Sequence, residues 1–136
     1  MNTASRIATS VVALLHGWFF VLETLLWKSE LAQKLLVMTA AEAEANAVLA
    51  GNQGVYNLVF AVGLGFSVVR RDTDVARAFE RFFLISAIGV GVYGAVSARV
   101  TVLFVQVVPA AIALGLSMSR KTSSALGRYS RRPSTD

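Results

Sequence analysis

Three side-chain amides and one phenol lie close together in the stretch Ala50-Gly51-Asn52-Gln53-Gly54-Val55-Tyr56-Asn57. This stretch belongs to an otherwise apolar run, residues 47–69, which is long enough as a helix to cross a bilayer. An unpaired amide is costly in hydrocarbon, so these groups are expected to face partner side chains or a wet cavity inside a helical assembly. The stretch therefore predicts a membrane fold and also the position of a buried polar site.

The composition indicates that a membrane is the natural solvent of the chain. Of 136 residues, 55% are hydrophobic and only 15% are charged, and the mean hydropathy is +0.60. Such a chain has too little polar surface to cover a soluble globule. The net charge of +5 does not predict a nucleic-acid partner, because most basic residues flank apolar runs and form no basic-aromatic patch. The lipid bilayer is the partner that the composition predicts.

Cysteine is absent and His16 is the single histidine. Disulfides, thiolate chemistry and cysteine metal sites are thereby excluded, and a multi-histidine metal site would need a second chain. No metal and no cofactor are predicted, with haem ligation by His16 as an alternative.

Four apolar runs predict four transmembrane helices, over residues 7–27, 47–69, 79–98 and 100–118. About twenty residues at ~1.5 Å each match a hydrocarbon core of roughly 30 Å. Residues 1–118 are therefore expected to form one all-α domain, a four-helix transmembrane bundle. The basic, Ser-rich segment 119–136 is predicted to be a disordered cytoplasmic tail.

Two connections have their own signals. In residues 28–46, Thr39 followed by Glu42 three positions later forms a capping-box pattern and predicts a short helix from Ala40. Residues 72–77 are too few for anything but a tight turn.

The basic residues predict the orientation of the bundle. Ten of the 13 collect on one side: Arg6, Arg70, Arg71, Arg77, Arg81, Arg120, Lys121, Arg128, Arg131 and Arg132. The other side has Lys28, Lys34 and Arg99. By the positive-inside rule both termini are cytoplasmic, and residues 28–46 face outside.

Comparing depth across the antiparallel spans predicts one layer of polar side chains in the outer half of the bundle. His16 lies near the middle of the first span, and Glu23 lies seven residues, roughly 10 Å, nearer the outside. The two share a helical face, because residues seven apart lie two turns apart. The predicted binding residues are His16, Glu23, Asn52, Gln53, Tyr56, Asn57, Tyr93 and Gln106.

Glycines and one proline shape the third and fourth spans. Residues 89–94 match the dinucleotide pattern G-x-G-x-x-G, but no strand precedes them, so a nucleotide site is rejected. Gly91, with Ala87 and Ala95 four residues to either side, instead predicts close helix contact. Pro109 is expected to kink the fourth helix beside Gln106.

The motifs together resemble a family of small bacterial membrane proteins catalogued as a domain of unknown function, DUF1304. The likeness rests on His16, Glu23-Thr24-Leu25-Leu26-Trp27, Asn52-Gln53-Gly54-Val55-Tyr56-Asn57, Gly91-Val92-Tyr93-Gly94-Ala95 and Gln106-Val107-Val108-Pro109-Ala110. Two positions depart from the pattern, which more often has Met in place of Thr24 and Gly in place of Leu58. The resemblance implies a multi-pass protein of the bacterial inner membrane and brings no established activity.

Three functional hypotheses fit the residues. In the first, a small polar solute or a proton engages the cluster from outside, and transport would need a homo-oligomer. In the second, the polar groups only hold helices together in an accessory subunit. In the third, Glu23 or His16 acts as general acid or base in a membrane enzyme. The binding hypothesis is favoured, and whether the protein is an enzyme stays open.

Overall fold

The computed structural model describes residues 3–70 and 73–119, and every regular element within these residues is helical. The predicted all-α class is confirmed for this part of the chain. Of the predicted tail, residues 120–136 lie outside the described residues.

The first membrane-length helix changes pitch near its end. Helix α1 covers Thr3–Phe20, and the chain continues without a break into a π-helical turn, Val21–Leu25. Leu26 N–H donates to the carbonyl of Val21 at 2.9 Å, five residues back, which is the wider spacing of a π-helix. The sequence pattern did not predict this turn.

The connection that follows contains two short helices. Helix α2 (Glu30–Leu36) was not predicted; it begins because the Ser29 hydroxyl accepts from the N–H of Ala32 at 3.2 Å. Helix α3 (Ala40–Ala45) begins with the predicted capping box, in which Thr39 and Glu42 bond each other's backbone N–H. These bonds, the backbone N–H of Thr39 first, hold the pKa of Glu42 below its ordinary value.

Helices α4 (Ala47–Val69) and α5 (Asp74–Ser97) form the next hairpin. The bounds of α4 are those predicted. The predicted tight turn at 72–77 is wrong, because α5 begins five residues before the predicted Phe79. Thr73 caps it by accepting from the N–H of Ala76 at 3.0 Å, which makes the segment around Arg77 helical.

The last helix is the shortest of the apolar ones. A π-helical turn, Leu103–Val107, leads into α6 (Val108–Met118), with Pro109 in the first turn of α6. Three helical segments are long and apolar enough to cross a membrane: Thr3–Leu25, Ala47–Val69 and Asp74–Ser97. The fourth, Leu103–Met118, is apolar but below that length.

Packing joins these four segments around one small core. Helices α1 and α5 each pack against both α4 and α6. The core consists of Val12, Leu64, Leu84, Ala87, Ala110 and Ala113. Gly63 lets α4 approach α5 closely, because a Cβ at this position would overlap the ring of Phe83. Large apolar side chains such as Leu14 (73% exposed) and Val96 (85%) cover the outside, as expected for a surface that meets lipid.

Candidate functional site

A cavity of about 460 Å³ opens between the packed helices, where α1 ends, α4 begins and α5 ends. We call it the Glu23 cavity. Its lining consists of His16, Glu23, Gln53, Tyr56, Asn57, Phe60, Val90, Gly94, Ala98, Val102 and Gln106. Six of the eight residues that the sequence predicted for the polar layer are in this lining. The other two, Asn52 and Tyr93, are not in this lining.

Glu23 is held by a side chain from the opposite helix. The amide nitrogen of Asn57 on α4 donates to Glu23 Oε2 at 2.7 Å, and both side chains are only partly buried. Glu23 stands in the middle of the first π-helical turn. Such turns are rare within α-helices and frequent at functional sites.

Gly54 allows this turn to lie against α4. A Cβ at Gly54 would overlap the hydroxyl oxygen of Thr24 and would lie 3.1 Å from the backbone nitrogen of Thr24 and 3.2 Å from Glu23 Cβ. Gly51, one turn earlier on the same helix, has nothing within 4 Å of its Cβ position. The contact at Gly54 therefore sets how near Glu23 comes to Asn57. Leu58, where the family pattern more often has Gly, is 37% exposed and is not part of the lining.

His16 forms the buried end of the cavity and is 1% exposed. Its Nδ1 bonds the carbonyl of Val12 at 2.9 Å, and its ring stacks on Phe60 with centroids 5.1 Å apart. A carbonyl oxygen can only accept, so Nδ1 carries a proton, and in the neutral ring Nε2 then presents a lone pair. Nε2 is buried and has no hydrogen-bond partner among the described residues. Buried polar atoms usually have a partner in a folded protein, and Arg81 Nε is the other such atom without one among the described residues.

Gln106 reaches the cavity from the second π-helical turn. Its amide nitrogen donates to the carbonyl of Ala87 on α5 at 2.9 Å. Gly91 makes the approach possible, because a Cβ there would lie 2.7 Å from Val107 Cγ2. The close contact that the sequence predicted at Gly91 is thereby confirmed, and the altered backbone beside Pro109 is a π-helical turn.

Asn52 and Tyr93 are the two predicted residues that lie outside this cavity. Both are exposed, Tyr93 by 74%. The reason is helical phase, since residues two apart point about 200° apart around a helix. Ala50 and Gly54 take the inward face of α4, and Gly91 takes that of α5, so the residues two positions away point outward.

A second, smaller cavity of about 370 Å³ adjoins the first and shares Gln53 and Ala98 with it. We call it the Trp27 cavity. It is lined by Trp27, Met38, Glu42, Asn46, Leu49, Ala50, Gln53, Ala98 and Arg99. Two hydrogen bonds hold the connection that contains α2 and α3 against this cavity. Trp27 Nε1 donates to the carbonyl of Ala43 at 2.8 Å, and Arg99 donates to the carbonyl of Leu36. The Trp27 cavity thus lies between the Glu23 cavity and the loop that holds α2 and α3.

The sequence analysis missed a cluster at the opposite end of the helices. Glu80 on α5 is 1% exposed, and its carboxylate accepts from Ser5 at 3.1 Å, Thr9 at 2.8 Å and Ser117 at 2.7 Å. We call these four residues the Glu80 cluster; it ties α1, α5 and α6 together. The spacing of Ser5 and Thr9, one turn apart on a single face, was the available signal. Glu80 stands among arginines in sequence and looked like one charge of a solvated end.

The residues that could bind metal are few. Among the described residues, no group of three or more His, Asp or Glu side chains is placed to hold a metal ion.

Comparison with known proteins gives a family but no characterised relative. No curated protein and no solved structure matches the chain. The model of one family, described as protein of unknown function (DUF1304), matches residues 10–118. This match includes both π-helical turns and the whole lining of the Glu23 cavity. The chain therefore belongs to the DUF1304 family.

Proposed function

We propose that α1, α4, α5 and the Leu103–Met118 segment form a four-helix bundle in the membrane, with both termini cytoplasmic. The geometry supports an alternating direction of the four helices. The Glu80 cluster joins the start of α1, the start of α5 and the end of α6 at one end. The Glu23 cavity joins the other ends. At ~1.5 Å per residue the last segment is about 24 Å long, which a locally thinned or tilted arrangement accommodates.

We propose further that the protein admits and binds a small polar solute in the Glu23 cavity from the outside. The observation that carries this proposal is the lining of the Glu23 cavity, about 460 Å³ in volume, which brings together one carboxylate, three side-chain amides and one phenol. The Glu80 cluster provides the contrast. There three hydroxyl groups satisfy one carboxylate, as a purely structural polar group requires. In the cavity, Asn57 is the one hydrogen-bond donor to Glu23 among the described residues, and space remains for a ligand.

A single introduced cysteine tests whether polar solutes enter. The chain has no cysteine, so Val102→Cys gives one thiol in the cavity lining, and Ala113→Cys gives one in the core at a position that is 0% exposed. We expect a small hydrophilic methanethiosulfonate to modify Val102→Cys at least about tenfold faster, because only that thiol meets water and can ionise. The rates are measured by intact-protein mass spectrometry on the full chain in proteoliposomes. Equal and slow modification of both thiols would contradict the proposal.

An accessory role is the second candidate, and the positions of Asn52 and Tyr93 favour it. Both polar side chains lie on the outer surface, where a partner helix or a second copy of the chain would satisfy them in hydrocarbon. In a purely accessory protein the cavity need not admit solute, so the same thiol experiment separates the two. Catalysis by Glu23 or His16 and haem ligation by His16 stay predictions; visible absorbance of the purified chain would favour haem.

A further inference from the structure

Three donors in the Glu23 cavity are engaged by the protein itself. His16 Nδ1–H donates to the carbonyl of Val12, and the amide nitrogen of Gln106 donates to that of Ala87. Because both partners are carbonyl oxygens, which only accept, these orientations follow from chemistry. The amide nitrogen of Asn57 donates to the carboxylate of Glu23. After these bonds are made, each of the three side chains still has an acceptor atom: Nε2 of His16 and the amide oxygens of Gln106 and Asn57.

The acceptors are correspondingly in excess. They are His16 Nε2, the amide oxygens of Asn57 and Gln106, and the lone pairs of the Glu23 carboxylate that Asn57 leaves unused. The unused donors are the hydroxyl of Tyr56, the amide N–H groups of Gln53, and the second amide N–H of Asn57 and of Gln106. A ligand that satisfies this lining must donate several hydrogen bonds.

The charge of the lining also favours a ligand that donates hydrogen bonds. Glu23 is the single carboxylic acid among the described lining residues, which include neither Lys nor Arg. A carboxylate in a membrane-embedded site is costly unless a positive group pairs with it. The aromatic rings of Tyr56 and Phe60 are also in the lining, and aromatic faces attract cations. The charge and the rings therefore both favour a cation over a neutral or anionic ligand.

The volume of the cavity sets an upper limit on the size of the ligand. Pockets for small ligands have volumes of about 300–1,000 Å³, and the Glu23 cavity, at about 460 Å³, is at the lower end of this range. The adjoining Trp27 cavity is lined by one carboxylate, Glu42, and one guanidinium, Arg99, so its charges balance and it adds no preference for either sign.

We infer that the solute bound in the Glu23 cavity is a small organic cation whose charge is carried on N–H groups, of the guanidinium or primary ammonium class. The carboxylate of Glu23 binds the charge, and the amide oxygens of Asn57 and Gln106 accept N–H bonds. This inference rests on the proposed function and adds the chemical class of the ligand.

Protection of the Val102→Cys thiol tests the ligand class. Four probes of similar size are compared as inhibitors of modification by an uncharged methanethiosulfonate: methylguanidinium, methylammonium, N-methylurea and acetate. The two cations are expected to slow modification in a saturable way, while N-methylurea, which keeps the N–H groups without the charge, and acetate leave the rate unchanged. Adding Glu23→Gln should weaken cation protection by about tenfold or more, because a charge-assisted hydrogen bond is lost.

The matched control is Glu44→Gln, the same chemical change at an exposed carboxylate that pairs with Lys28 outside the cavity lining. It should leave cation protection unchanged. Equal protection by N-methylurea or acetate, protection that survives Glu23→Gln, or protection by none of the four probes would overturn the inferred ligand class. None of these results bears on the proposed function, which is tested by whether the methanethiosulfonate modifies Val102→Cys faster than Ala113→Cys in the absence of a probe.

Discussion

Gly54→Ala is expected to destabilise the protein by about 2–3 kcal/mol, the cost of forcing a methyl group into a packed helix contact. The new Cβ would overlap the Thr24 hydroxyl and press on the Thr24 backbone nitrogen at 3.1 Å and Glu23 Cβ at 3.2 Å. Rotation of the Thr24 side chain relieves only the first contact, so the π-helical turn must move away from α4. We expect this movement to separate Glu23 from Asn57 and to widen the cavity. The free energy of unfolding is measured in mild detergent by titration with a denaturing detergent.

Gly51→Ala is the matched control, since it adds the same methyl group to the same helix where nothing lies within 4 Å. It should be neutral or stabilising by up to about 1 kcal/mol, because alanine is the better helix former. Thr24→Ala in the Gly54→Ala background should recover part of the loss, as the hydroxyl overlap disappears while the two other contacts remain. If Gly54→Ala proved as stable as Gly51→Ala, the close packing of the π-helical turn on α4 would be wrong.

Glu80→Ala is expected to cost about 2–3 kcal/mol. Hydrogen bonds to charged groups contribute about 1.5–3 kcal/mol each, and Ser5, Thr9 and Ser117 all lose their acceptor. The loss is smaller than the sum of three such bonds, because serine and threonine hydroxyls can bond carbonyls of their own helices and a buried charge is removed. Glu80→Gln should cost about half as much, since its amide oxygen still accepts and its nitrogen can donate to Ser117 Oγ.

The comparison for this prediction is Glu44→Ala, which removes a carboxylate from an exposed ion pair with Lys28. Surface ion pairs contribute about 0–1 kcal/mol, so this change should be close to neutral. The expected order of stability loss is Glu80→Ala, then Glu80→Gln, then Glu44→Ala, measured by thermal unfolding followed by circular dichroism. A Glu80→Ala protein at least as stable as the parent would show that the cluster does not hold α1, α5 and α6 together.

Much of the fold follows from sequence, because the length of an apolar run and the capping residues at the ends of a helix are local features of the chain. The run from Ala47 to Val69 predicted α4 with its bounds, and Thr39 with Glu42 predicted the start of α3. The start of α5 was placed too late, because charged residues were taken as the end of a helix where Thr73 in fact begins one. A hydropathy pattern indicates which residues suit the membrane. A helix cap depends instead on one hydrogen bond between a side chain and a backbone N–H, so the hydropathy pattern does not indicate where a capped helix begins.

The two π-helical turns could not be predicted from periodicity. Each adds a residue to one turn and so changes the phase of everything after it, and a 3.6-residue pattern contains no sign of this. Pro109 marked the place of the second turn without specifying its kind. Glu23 and Gln106 were nevertheless assigned to the cavity correctly, because both lie within the turns.

The depth of the site residues along the helices was predicted from sequence. The helix face on which each residue lies was predicted only in part. Glu23, His16 and Asn57 were grouped because antiparallel spans bring equal depths together. Tyr93 was included on depth, although Gly91, two positions earlier, lies on the face of α5 that contacts the second π-helical turn, so Tyr93 lies on the opposite face. The Glu80 cluster was missed because three hydroxyl groups from two distant helices give no local signal that a carboxylate will be buried.

The nitrogen-15 resonances of His16 test the central claim most directly, since the chain has a single histidine and its ring gives two unambiguous signals. We predict a protonated Nδ1 and an unprotonated Nε2 without a hydrogen bond in the full chain in lipid. Adding methylguanidinium should move the Nε2 resonance, because a cation then occupies the cavity that the His16 ring lines, and should leave Nδ1 nearly unchanged. A proton on Nε2 in the free protein, or an Nε2 resonance that saturating methylguanidinium does not move, would contradict the account.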